Sequence, residues 1–359
     1  MSGAVVGAEK LRDELLSSPR VVVRGGGTKT GLHADATGAH LVDTKLLSGI
    51  VEHLPSEFTI TVAAGTPLSE VGTVLGREGQ YLPFDPLQVE AGGTVGGAVA
   101  SGLAGSGRHR YGGVRDFILA VQILDGRGRF VRGGCRVVKN AAGFDLPKLV
   151  VGSLGSIGIL TEVTFKVFPR AAATATVSAE LQDLEQAVQA LGRLRWESVE
   201  LDAVDFDWRG RLWVRVAGRA LEQRVPRVVD LIGAGRMLTD NEAELHWEQR
   251  RELLAPEGTT LLKVPVTPRR IVGLDAAVNH LARERYYSSG GQEAWLSLES
   301  SAELAALDEV LTRLGLRGLV VLGGVGGPLL GARRDEELQR RVRRAFDPES
   351  RFVTPLGSD

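Results

Sequence analysis

Glycine is the feature that most constrains this chain. The 359 residues include 46 glycines, and before residue 160 they crowd into four places, at 25–27, 92–97, 102–113 and 152–158. Apolar runs separate the clusters, so they do not form a low-complexity linker. Glycine that recurs inside a packed architecture marks tight turns, or backbone that approaches another backbone or a ligand closely. Four such places in one half of a chain point to an extended ligand.

Composition sets the frame. Hydrophobic residues make up 43% and charged residues 24%, as in globular proteins, and the length allows two domains with cores of their own. The formal net charge of -1 gives no reason to expect nucleic acid or an anionic membrane as the main partner. Arg340, Arg341, Arg343 and Arg344 follow Asp335, Glu336 and Glu337, which reads as a solvated helix charged in keeping with its dipole. The single Cys135 rules out an intramolecular disulfide, suits a reducing compartment and reads as a small packed side chain. Acids interrupt the N-terminal apolar residues, unlike a signal peptide, and no stretch approaches the roughly 18 apolar residues of a membrane span. The expectation is a cytoplasmic protein with no transmembrane segment. Contact with the inner face of a membrane through partners stays open.

The pattern of apolar residues divides the chain. A helix is predicted over 8–16 and strands over 21–23, 39–43 and 59–63, followed by a helix over 67–77 with Leu68, Val71, Val74 and Leu75 on one face. A small-residue helix starts near Val95. Strands over 117–124 and 130–132 flank the turn Asp125-Gly126-Arg127-Gly128, and a strand over 159–167 stops at Pro169. Beyond residue 171 glycine thins out and two passages repeat the order strand–helix–strand–strand–helix. The first has elements at 174–180, 181–194, 198–206, 212–218 and 221–232. The second has 261–266, 271–282, 285–288, 294–299 and 303–314, with a further strand at 319–322. The fold class is therefore α+β. Residues 1–171 form one domain with lobes at about 1–82 and 83–171, residues 172–330 a smaller domain with a ferredoxin-like sheet, and 331–359 a helix and tail.

The first cluster, Arg24-Gly25-Gly26-Gly27-Thr28-Lys29, follows a strand and offers consecutive amides to an anion. A dinucleotide fingerprint would continue into an apolar helix, and a P-loop would need Gly-Lys-Ser/Thr. Neither is present, so the loop alone reads equally as a structural turn. Gly92-Gly93-Thr94, opening a small-residue helix, suits a flat ring against backbone, and the helix N-terminus favours negative charge.

Taken in order, residues 21–29, 92–97, Asp125-Gly126, Lys139-Asn140-Ala141-Ala142-Gly143-Phe144-Asp145-Leu146 and 155–162 resemble the PCMH-type FAD-binding domain of the vanillyl-alcohol oxidase superfamily. Within it the chain is most similar to the FAD-binding E subunits of bacterial glycolate oxidases. The match covers about 20–170 and is weaker beyond, apart from the closing Ala345-Phe346-Asp347-Pro348. The resemblance implies a two-lobed FAD domain followed by a cap domain. It implies that Gly25, Gly26, Gly27, Thr28 and Lys29 wrap the pyrophosphate. Gly92, Gly93, Thr94, Gly96, Gly97, Ser101 and Gly102 would run beneath pyrophosphate and ring, with Gly158, Ile159 and Thr161 adding backbone contacts. Some members tether FAD through a His in the first loop. Thr28 stands there, so non-covalent FAD is expected. The tail Phe352-Val353-Thr354-Pro355-Leu356 departs from the family's Phe-Asn-Pro-Gly, which puts a flavin contact from the tail in doubt.

Substrate chemistry is less legible. His246 and His280 lack paired ligand spacing, so no metal site is expected. Arg108, His109, Arg110 and Tyr111 are the candidates for substrate or flavin-edge contact, though a solvated loop explains each as well. Tyr286, Tyr287 and Trp295 read as sheet packing. Three functions follow. The first is an FAD subunit of a glycolate oxidase-like 2-hydroxy-acid dehydrogenase, working with a catalytic flavoprotein and an iron–sulfur subunit. The second is a self-sufficient FAD-dependent alcohol or 2-hydroxy-acid oxidoreductase, and the third a non-catalytic FAD-binding or assembly subunit.

Overall fold

The computed structural model describes residues 3–33, 37–135, 145–197, 199–256, 258–324, 327–333 and 336–353. Of the motifs above, Lys139 to Phe144 and the residues from Thr354 onward lie outside these. Two compact units emerge: residues 1–104, 113–170 and 334–359 make unit 1, and residues 105–112 and 171–333 make unit 2.

In unit 1, strands β1 (Val21–Arg24) and β2 (His40–Asp43) pair in parallel. The amphipathic helix Gly3–Ser17 buries Leu11 and Leu15 against Val21, Val42 and Leu47. The C-terminal tail completes this small layer. Val21 donates to the Arg351 carbonyl at 2.8 Å, Val353 donates back to Val21 at 2.8 Å, and Phe352 enters the same core. Asp347, from the closing motif, bends the tail by accepting the amides of Arg351 and Phe352 at 3.0 and 2.8 Å. A sequence pattern cannot reveal a contact more than 300 residues away, so helix Glu336–Phe346 and the tail read there as a separate piece.

Strands β3 (Ile50–Leu54), β4 (Thr59–Ala63), β5 (Gln80–Tyr81), β6 (Ile118–Leu124), β7 (Phe130–Gly134), β8 (Ile159–Lys166) and β9 (Phe168–Pro169) follow. Five of them form one antiparallel sheet in the order β3-β4-β8-β6-β7, and β5 pairs with β9. The expected division at residue 82 therefore does not separate sheets, because β4 hydrogen-bonds to β8 along its whole length. The β6–β7 hairpin closes on Asp125, fully buried, which accepts the amides of Arg127 and Arg129. Leu146–Val150 forms a short helix leading into the fourth glycine cluster.

Unit 2 is built on one nine-stranded antiparallel sheet. Its strands are β10 (Thr174–Glu180), β11 (Ala203–Asp207), β12 (Arg211–Ala217), β13 (Arg236–Met237), β14 (Thr260–Pro265), β15 (Glu284–Ser288), β16 (Glu293–Leu298), β17 (Arg317–Leu322) and β18 (Leu329–Gly331). The order β13-β10-β12-β11-β15-β16-β14-β17-β18 shows two similar halves joined where Phe206 faces Tyr287. This is the α+β class and two-part sheet expected from the repeated element order. Helices Leu184–Trp196, Leu221–Ile232, Ile271–Val278 and Leu304–Leu314 put Leu191, Val228, Leu274 and Leu311 into a core with alternate strand residues such as Val204, Val214 and Leu296. The intervening residues form a polar–aromatic face. Helix Asp240–Arg251, absent from the sequence reading, lies there: Trp247 donates to the Thr176 hydroxyl at 3.0 Å and His246 stacks on Trp213.

Candidate functional site

The first glycine loop leaves β1 at Arg24, whose carbonyl accepts the Thr44 hydroxyl at 3.2 Å. Gly27 turns the chain at φ +67°, where a side chain would be strained. Gly25 and Gly26 are small for a different reason. A methyl group on Gly25 would overlap the Thr94 hydroxyl, and one on Gly26 would overlap the Gly92 carbonyl oxygen. The first two glycine clusters thus pack on each other, Gly26 against Gly92 backbone and Gly25 against the Thr94 side chain.

The other side of this contact is open. A cleft is bounded by Gly25, Gly26, Gly27, Thr28 and Lys29, by Thr94, Gly96, Gly97 and Ser101, and by Gly158. The amides of Gly26, Gly27 and Thr28 form no hydrogen bond within the described residues, and Lys29 is buried beside them with its ammonium 3.4 Å from the Thr28 hydroxyl. Consecutive unpaired donors on a glycine turn, with a lysine at their edge, fit a phosphate-bearing ligand.

Helix Val95–Ser101 contributes its wall but not its amides. Val95 donates to Thr66 O at 3.0 Å, Gly96 to Ala64 O at 2.6 Å and Gly97 to the Thr94 hydroxyl at 3.2 Å. The attraction expected at this helix end can therefore act only through its dipole.

Five of the expected cofactor residues lie off the cleft wall. Gly92 and Gly93 form the packing layer behind the first loop, where a Gly93 methyl group would crowd Gln88 O at 2.6 Å. Gly102 caps its helix at φ +63° against Gly152. Ile159 is fully buried in the small core, and the Thr161 hydroxyl donates to Gln122 O at 3.1 Å. The sequence reading missed Ser153, Leu154 and Gly155, which line the cleft from the fourth cluster, and also His33. Their signal was the cluster itself, together with a His six residues beyond Gly27. Burial, reinforced by the Arg24 charge, lowers the His33 pKa, so its ring is neutral at pH 7.

The candidate substrate residues sit in 105–112, which belongs to unit 2. Ser106 donates to the buried carboxylate of Asp205 at 2.6 Å, Arg110 pairs with Glu200 at 2.9 Å and its guanidinium covers the Tyr111 ring at 5.3 Å. Arg108 approaches Glu293 at 3.5 Å. His109 packs on Gly290, its pKa lowered by burial and its Nδ1 buried without a partner among the described residues. Tyr287 is fully buried, stacked on Phe206, and donates to Asp275 at 2.6 Å. Tyr286 stacks on Trp295 under the Arg250 guanidinium. These aromatics are sheet packing. Burial, with Arg250 and neighbouring arginines, pulls the His246 pKa down to about 3, while His280 is exposed.

Residues 17–134 match the family described as FAD binding domain. The glycolate oxidase subunit GlcE of Escherichia coli (strain K12) is 32% identical over 320 residues, covering 89% of this chain and 87% of that protein. This chain belongs to the PCMH-type FAD-binding oxidoreductases. FAD is the cofactor of this family member, in agreement with the unpaired amides of the cleft. A D-lactate dehydrogenase of Anaerostipes hadrus is 26% identical over 196 residues, 54% of this chain but only 41% of that enzyme. Among solved structures, an alkyldihydroxyacetonephosphate synthase superposes with a TM-score of 0.70 over 94% of this chain and 72% of that one. At 14% identity this likeness speaks for the fold alone. No described helix is long and apolar enough to cross a membrane.

Proposed function

We propose that this chain is the FAD-holding subunit of a glycolate oxidase-like 2-hydroxy-acid dehydrogenase and passes electrons from flavin to a partner subunit. The observation that carries this reading is the 32% identity to a glycolate oxidase subunit across nearly the whole chain, in a protein whose glycine cleft retains free amides. In the cleft, Gly26, Gly27 and Thr28 would donate their amides to the diphosphate and Lys29 would supply a balancing charge. Thr94, Gly96, Gly97, Ser101 and Gly158 would bound the rest of the cofactor at close range. Bound FAD supplies an acceptor for the two electrons of a hydroxy-acid oxidation. Thr28 offers no imidazole for a covalent tether, so FAD is held non-covalently. One cysteine cannot ligate a four-cysteine cluster, so electrons leave through another protein, with a catalytic flavoprotein and an iron–sulfur subunit as the partners. Anaerobic mixing with glycolate or D-lactate tests the division of labour. Flavin bleaching only when partner subunits are present is expected. Rapid bleaching of the isolated chain would instead make it self-sufficient.

A further inference from the structure

Unit 2 holds a cleft of its own, of about 1260 Å³. Its floor is Glu293, whose side chain is 3% exposed. Lys263 Nζ lies 2.6 Å from Glu293 Oε1 and Arg108 Nε lies 3.5 Å from the same oxygen. Lys263 and Glu293 come from paired strands β14 and β16 with a two-residue offset, so both side chains leave the same face of the sheet. The second oxygen, Oε2, is buried and has no hydrogen-bond partner among the described residues. A buried carboxylate oxygen left unpaired is costly, and a native fold retains one chiefly where something else completes it.

The rim adds Arg195 and Arg269, both exposed, and neither pairs with a carboxylate among the described residues. Four cations thus face one carboxylate in a recess walled by Leu191, Val266 and Pro268. Charge of one sign against apolar walls concentrates counter-ions.

We propose that this cleft binds a small dianion carrying a hydroxyl group. The anionic groups meet Arg195, Arg269 and Arg108, and the hydroxyl donates to Glu293 Oε2. A hydroxy-dicarboxylate and a hydroxylated phosphate ester share that chemistry. A 2-hydroxy monocarboxylate would satisfy the oxygen but leave most of the positive charge unmatched, so this ligand differs in charge from the glycolate and D-lactate named above. An acidic peptide segment would satisfy the arginines without any dependence on a hydroxyl.

Calorimetric titration of the full chain tests this with malate, glycerol phosphate, succinate, glycolate and inorganic phosphate. Malate or glycerol phosphate should bind about tenfold tighter than succinate, phosphate or glycolate, the size of one hydrogen bond to a charged group. Whichever of the two binds tighter identifies the carboxylate or phosphate source. Arg195→Gln and Arg269→Gln, both on exposed residues, should each weaken the preferred dianion about tenfold, because each removes one cation from the ligand. Glu293→Gln should erase the preference for malate over succinate. Equal affinity for malate and glycolate, equal affinity for malate and succinate, unchanged affinity in the arginine variants, or no binding at millimolar ligand would each overturn the proposal. FAD content, measured alongside, reads the flavin assignment separately, so either can fail alone.

Discussion

Unit 1 and unit 2 solve the problem of close packing in opposite ways. In unit 1 backbone makes close contacts around the cleft: Gly26 lies on the Gly92 carbonyl and Gly158 on the Leu124 carbonyl. In unit 2 the polar face of the sheet is held by side chains. Arg250 covers Tyr286, and Ser106 reaches Asp205. Backbone packing leaves few rotamers to order and exposes amides to a ligand. Side-chain packing builds charge and shape, but each part depends on a distant partner. A surface meant to hold a long cofactor flush gains from the first, and a surface meant to discriminate among small molecules gains from the second.

The largest expected difference comes from adding bulk to the two kinds of contact. Gly26→Val forces a side chain into the Gly92 carbonyl, where only backbone can give way, and should cost about 4 kcal/mol or more. Gly290→Ala in unit 2 meets the tip of His109, which can turn aside. Its positive φ of +64° leaves a cost of about 1–2 kcal/mol. Urea unfolding of both variants ranks them, and equal midpoints would remove the distinction.

Next in size is Phe352→Ala, which removes the tail's aromatic ring from the small core of unit 1. A loss of about 3 kcal/mol is expected from the cavity it leaves, read as a lower urea midpoint.

A pH dependence belongs to unit 2. Burial raises the Asp205 pKa from 3.8 to about 6, against the opposing Ser106 hydrogen bond and the Arg250 charge. The folded protein therefore holds the proton longer than the unfolded chain. The stabilisation is complete below pH 4 and is lost as pH rises to 6, by about 2–3 kcal/mol. Asp205→Asn should flatten the unfolding free energy between pH 4 and 6, and an unchanged slope would contradict the assignment.

The smallest effect separates structural glycine from ordinary glycine within unit 1. Nothing lies within 4 Å of a methyl group on Gly76, in helix Leu68–Arg77, so Gly76→Ala should stabilise by about 0.5–1 kcal/mol. Thermal unfolding checks it.

Legibility in the sequence follows the same contrast. Strands such as Arg211–Ala217 alternate half-buried and buried residues over most of their length, and that alternation is written in the chain itself. Helix Asp240–Arg251 was missed although Thr239 and Glu242 form a capping box, because its polar run carries no apolar stripe. Strand β3, Ile50–Leu54, was missed because Glu52 and His53 interrupt it. The first glycine loop read equally as an anion site and as a structural turn, because whether its amides stay unpaired depends on what packs beside the turn. The allegiance of 105–112 could not be read, because it rests on Ser106 meeting Asp205 across 99 positions. Likewise nothing local to Glu293 shows that Lys263 and Arg108 converge on one of its oxygens and leave the other bare.

The central claim is that the cleft bounded by Gly25–Lys29 and Gly96–Ser101 holds one FAD. Titrating flavin-free protein with FAD, in parallel with a Thr28→Trp variant whose half-buried side chain would plug the cleft, tests it most directly. The account predicts one FAD per wild-type chain, released to the supernatant by acid, and loss of uptake in a variant that still folds. Wild-type protein that takes up no FAD, or a plugged variant that binds it equally well, would contradict it.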